Sequence, residues 1–132
     1  MSPEQLLGQL EGGGRVVVAD FEAGLGTLTR MEPGDVDVLL VIAEPSAKAI
    51  EVARRAVELI AAKNLGRSLL IANRFKSEDL RLLHEGFGNL RPLLIPDDAA
   101  LRSADATGAA PFDSAPDAPG VRALSDFAKS LV

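Results

Sequence analysis

Four stretches of the chain are apolar at nearly every position: VVVA at 16–19, DVLLVIAE at 37–44, SLLIAN at 68–73 and RPLLIP at 91–96. Continuous aliphatic and β-branched runs bounded by Gly, Pro, Asn or Asp predict strands buried on both faces. Between the runs the period changes to that of a helix. After Pro45, residues Ala49, Ile50, Ala53, Val57, Ile60 and Ala61 recur at three- and four-residue spacing, so a long helix is expected with Ser46 as its cap and an end near 64–66. A shorter helix is expected from Ser77 to about Glu85, stopped by Gly86 and Gly88, and another from about Asp97 to Asp105. Val121, Leu124, Ala128 and Leu131 line one side of a terminal helix expected to dock on the sheet. Residues 3–10 predict a short first helix capped by Ser2, and a helical turn is expected around 28–31.

Alternating strands and helices, with strands apolar along their whole length, predict an α/β fold: three layers, with a mostly parallel four-stranded sheet flanked by helices. A chain of 132 residues suits one domain, 1–132, in which the proline-rich stretch 107–120 reads as an irregular surface crossing. Asp20, Glu44, Asn73 and Pro96-Asp97 would all fall at the carboxyl ends of the strands, where parallel sheets collect ligands.

Composition narrows the chemistry. The chain has no cysteine, which removes disulfides, thiolate metal sites and cysteine nucleophiles. The net charge is −5, and the nine basic residues of 44–91 alternate with six acidic ones as on a solvated helix face. Without a basic cluster interleaved with aromatics, no nucleic-acid partner is expected. The acidic start MSPEQLLGQL is unlike a signal peptide and no apolar run reaches membrane-spanning length, so a cytoplasmic protein with no membrane span is expected.

Read in order, VVVADFEAG, DVLLVIAEPS, LLIAN and LLIPDD resemble the MinD/ParA-like P-loop ATPases, nearest the branch of the CooC-type nickel-insertion chaperones. The resemblance runs from about residue 16 to the end and corresponds to the later half to two-thirds of a family member. It implies that Asp20 matches the aspartate that reaches Mg²⁺ through water when nucleotide is bound, with Glu22 and Gly24 in the following acidic and glycine positions. It implies further that Asn73 matches the asparagine that recognises adenine, and that Ile95, Pro96 and Asp97 match the loop that closes over the base. The chemistry agrees: a carboxylate can orient hydrated Mg²⁺, a glycine admits a close phosphoryl oxygen, and an asparagine presents both a donor and an acceptor.

The phosphate-binding half is missing from these residues. A Walker A loop needs glycines between a strand and a helix and a closing Lys-Ser/Thr. EGGGR at 11–15 precedes a strand and GLGT at 24–27 has no lysine. The resemblance also places the phosphate-loop strand between the strands matching 16–20 and 37–43, so its omission either joins those two or leaves a slot. The expected fold is therefore a truncated P-loop NTPase-like one. The favoured function is a degenerate, non-hydrolysing module acting through a protein partner or as a homodimer. One alternative is the ATP-binding half of an ATPase completed by an upstream or separate Walker A segment; another is a folded remnant without ligand. No cofactor is firmly expected of the chain alone, and ATP or ADP with Mg²⁺ is what the resemblance admits. With no cysteine pair, the branch's nickel chemistry is not carried over.

Each residue also has a plainer reading. Asp20 can cap the turn after its strand, Glu22 can be solvated, and Gly24 can serve only a tight loop. Asn73 can satisfy its own backbone in a turn, and Asp97 and Asp98 can cap a helix. His84, the only histidine, has no matched nucleophile, acid or further ligand and reads as surface packing.

Overall fold

The computed structural model describes residue 14, residues 16–22 and residues 24–131. The helix expected at 3–10 lies outside the described residues. Three parallel strands, β1 (Val38–Ala43), β2 (Arg67–Phe75) and β3 (Leu93–Pro96), form a sheet in the order β1-β2-β3. Around them run α1 (Gly26–Arg30), α2 (Ala47–Lys63), α3 (Leu80–Phe87) behind a 3-10 turn at Ser77–Asp79, α4 (Ala99–Thr107), the single-turn α5 (Pro111–Ser114) and α6 (Pro119–Leu131).

α2 forms where the pattern predicts it, for the expected reasons. Ser46 is extended, and its Oγ accepts from the Ala49 amide at 3.1 Å. The helix closes at Asn64, whose φ of 52° is left-handed. Leu65 then plugs the core at 1 % exposure. At Gly66, φ is +147°, and a Cβ there would stand 3.1 Å from the Asp37 carbonyl. That close approach lets β2 begin beside the residues leading into β1, with the Arg67 amide donating to Asp37 O at 3.2 Å.

The core lies between α2 and one face of the sheet. Ile50, Ala53, Leu83 and Phe87 pack on Val41, Ala43, Leu70 and Ala72. Ala56 and Ile60 continue the α2 stripe onto Leu65, Met31, Leu28 and Leu39. Because side chains alternate along a strand, Leu40 and Ile42 point to the opposite face. There α6 packs on β3 at the other side of the sheet, and Ile95 is buried. The β1 half of that face is bare: Leu40 is 43 % exposed and Ile42 60 %.

The expected first strand does not form. Among the described residues, 16–20 have no strand partner, and Val16, Val17 and Val18 are 70 %, 51 % and 85 % exposed. A strand is defined by its neighbour, and an apolar β-branched run supplies the side chains without the ladder. Among the described residues the sheet therefore has three strands where four were expected, and β1 is its edge, buried on one face where two-sided burial was expected. The two segments flanking the anticipated slot neither join nor find another partner among the described residues.

Candidate functional site

Parallel strands bring their carboxyl ends to one edge, and here that edge is charged. Beyond β1, Glu44 meets Arg74 at 3.5 Å. Arg74 sits in a bulge of β2, where the register slips between Ala72 and Phe75, and its φ is +58°. Left-handed backbone is uncommon for arginine and costs of the order of 1 kcal/mol. The bulge lets β2 run on to Phe75, which pairs with Pro96 of β3. One residue on, the Asp97 amide donates to Phe75 O at 2.8 Å.

Asp97 and Asp98 divide the work at the start of α4. Asp97, with its side chain only 15 % exposed, pairs with Arg102 and lies 3.9 Å from Lys76 Nζ. Asp98 is the cap, accepting from the Ala100 amide at 2.9 Å and from the Gly120 amide of α6, also at 2.9 Å. The Gly120 amide first, then that of Ala100, holds its carboxyl below the ordinary aspartate range, with smaller contributions from the Leu101 amide and Arg102, against the opposing effect of burial. Capping thus belongs to Asp98, while Asp97 is an ion-pair partner.

Asn73, Pro96 and Asp97 are brought together by the β2–β3 pairing. Asn73 is half-buried within the strand, and among the described residues its side-chain amide makes no hydrogen bond. The turn contact anticipated for it is therefore not made, and its donor and acceptor stay available at the edge. Asp20, Glu22 and Gly24 are exposed on the segment before α1, and among the described residues no hydrogen bond or ion pair ties the two carboxylates to the strand-end cluster. At Gly24, φ is +99° and nothing lies within 4 Å of the Cβ position, so the loop demands glycine while no neighbour yet approaches it. His84 is exposed on α3, and no group of three metal-ligating side chains occurs among the described residues.

Sequence reasoning missed the pairing of Arg74 with Glu44 and of Lys76 and Arg102 with Asp97. The alternation of Arg74 and Lys76 with acids read as a solvated face, which does hold for Arg55–Glu51 and Arg81–Glu85 on helix surfaces. An arginine directly after an asparagine carries no local signal of a bulge.

The chain is 36 % identical over 73 residues to an uncharacterized ATP-binding protein of Methanocaldococcus jannaschii. The match takes in 53 % of this chain and 27 % of that protein, so the chain corresponds to about a quarter of the relative's length. No protein-family model and no solved structure matches it. The similarity is thus partial, and it is to an ATP-binding protein. The parallel α/β sheet flanked by helices is an architecture shared by P-loop nucleotide-binding proteins. No helix among the described residues is long and apolar enough to cross a membrane.

Proposed function

We propose that this chain is the base-binding and Mg²⁺-side portion of a MinD/ParA-like ATP-binding fold, completed by a strand and glycine-rich phosphate loop supplied upstream on the same polypeptide or by a second one. The observation that carries the proposal is the outer edge of β1, unpaired among the described residues, with Leu40 and Ile42 exposed beside it. Unpaired edges and apolar patches of this kind are normally covered. A parallel strand in that slot, followed by a helix on the bare face, would satisfy the β1 backbone and bury both side chains. The exposed Val16–Val18 run supplies a segment for the far side of such a strand. A degenerate module that meets a protein at this edge also covers it, but leaves the unpaired Asn73 amide without a role.

In this reading the Asn73 amide accepts from and donates to the edge of adenine, and Pro96 and Asp97 border the base. The ion pairs of Asp97 to Arg102 and Lys76 hold that loop in place. Asp20 orients a water of the Mg²⁺ shell, Glu22 adds negative charge, and Gly24 admits a phosphoryl oxygen. Mg²⁺, when present with nucleotide, would neutralise phosphate charge. The phosphate cradle and its lysine come from the completing segment, so the chain alone hydrolyses nothing.

The test is calorimetry of Mg²⁺-ATP against the 132-residue chain and against the same chain joined to a strand, G-x-x-x-x-G-K-[ST] loop and helix. The chain alone should show no binding up to about millimolar nucleotide. The joined protein should bind at roughly micromolar Kd and lose about tenfold or more in Asn73→Ala or Asp20→Ala. Low-micromolar binding by the chain alone, or a folded joined protein that ignores ATP, would sink the proposal.

A further inference from the structure

Lys63, the last residue of α2, makes a contact that nothing in the site requires. Its Nζ donates to three backbone carbonyls of another element: Leu28 O at 2.9 Å, Thr29 O at 2.9 Å and Met31 O at 2.8 Å. An ammonium has three N–H donors, so this one is fully used. Its acceptors are the final carbonyls of α1 and its cap, which a helix end leaves without intrahelical partners and at the negative end of its dipole.

A helix of five residues does not hold itself together, because nucleation costs more than so few hydrogen bonds return. Two sets of contacts help to anchor α1. Leu28 and Met31 are buried against Ile60 and Leu65, and the Lys63 ammonium ties the chain from above. The other end of the same segment is different. Residues 16–22 make no backbone hydrogen bond among the described residues, and Val16 to Val18 are exposed. Within the loop Phe21 rests on the same cluster, so among the described residues the stretch carrying Asp20, Glu22 and Gly24 is held by Phe21 and by its α1 end, while the run before it is free of backbone pairing.

We propose that Lys63 is a positioning residue, whose ammonium sets where α1 sits on α2 and thereby fixes the α1 end of the loop that carries Asp20, Glu22 and Gly24. Its importance for nucleotide rests on the reading that this loop faces the phosphates; the clamp itself does not. The arrangement lets residues 16–19 take up a new strand partner while the far end of the loop keeps its place against α2. Removing the charge leaves three carbonyls to water and frees α1 to shift.

The test is amide exchange and chemical shift by NMR on the 132-residue chain, comparing wild type with Lys63→Met and Lys63→Arg. The amides of Thr29 and Met31, which donate to Leu25 O and Thr27 O, should exchange about tenfold to a hundredfold faster in Lys63→Met. The amides of β2 should be unchanged, the Glu22 and Gly24 signals should move, and Lys63→Arg should restore most of both effects. If the methionine variant unfolds, Lys63→Gln, which keeps an N–H donor without the charge, is read in its place. Faster exchange shared equally with β2 would make Lys63 a contributor to global stability only, and stationary Glu22 and Gly24 signals would mean that it does not position the loop; either overturns the proposal. No nucleotide enters this measurement, so its failure and the failure of the ATP-site reading are separate results.

Discussion

Ile42→Lys distinguishes a sheet face awaiting a cover from one already finished. Ile42 is 60 % exposed on the bare side of β1. Burying an isoleucine fully is worth about 1.5–3 kcal/mol, so the part already buried contributes roughly 1 kcal/mol. A lysine can lay its stem over the same surface with its ammonium in water, and the isolated chain should lose about 1 kcal/mol or less. In the protein joined to a phosphate-loop segment the position is covered. The rest of the isoleucine's burial, about 1–2 kcal/mol, is then forfeited, and an unpaired ammonium must be desolvated at a cost of several kcal/mol more. The substitution should therefore be worse in the joined protein by about 3 kcal/mol or more. Urea unfolding of wild type and variant in both contexts measures the difference, provided that the slopes agree. Equal losses in the two contexts would show that the segment docks elsewhere, and a loss above about 3 kcal/mol in the isolated chain would show that Ile42 is already under cover.

Three further expectations follow from the packing and the caps. In Gly86→Ala the new Cβ would lie 2.6 Å from Ile50 Cγ2, a stiff branch on a residue 2 % exposed. Overpacking of about 1–3 kcal/mol then outweighs the helix-propensity gain of about 1 kcal/mol, and the urea midpoint should fall. Met31→Ala, at a position with 0 % exposure beneath α1, should cost about 2–5 kcal/mol by thermal or urea unfolding. Asp98, whose carboxyl is held below its usual range in the folded chain, should contribute stability that is fully present above about pH 4 and is lost as pH falls through its lowered folded value. Asp98→Asn should flatten that acid limb of the stability profile, and an unchanged limb would refute the assignment.

Much of the architecture was written locally. Ser46 and Asn64 bound α2 because a hydroxyl cap and a left-handed exit are properties of a few neighbouring residues, and the stripe of Ile50, Ala53 and Ile60 lies on one face by helical geometry alone. The apolar runs at 37–44, 68–73 and 91–96 became parallel strands at 38–43, 67–75 and 93–96, and their order along the chain set their carboxyl ends side by side. Grouping Asn73, Pro96 and Asp97 at one edge needed no more than that. The bulge at Arg74 and the division of roles between Asp97 and Asp98 were not legible, because each involves a partner 20 or more residues away, Pro96 of β3 for the first and Gly120 for the second.

The sequence by itself determined the ends of α2, the parallel α/β alternation and the edge shared by Asn73, Pro96 and Asp97, since these follow from side-chain period and capping within a few turns of chain, whereas Gly86, expected to stop α3, lies inside it. Only the tertiary structure decided that VVVA at 16–19 is not a strand, that β1 is an edge unpaired among the described residues with Leu40 and Ile42 exposed, and that Lys63 reaches across to the end of α1. The physical reason is the same in all three. A strand, a buried face and a satisfied carbonyl are each completed by a group distant in sequence, and no local pattern reports whether that group is present.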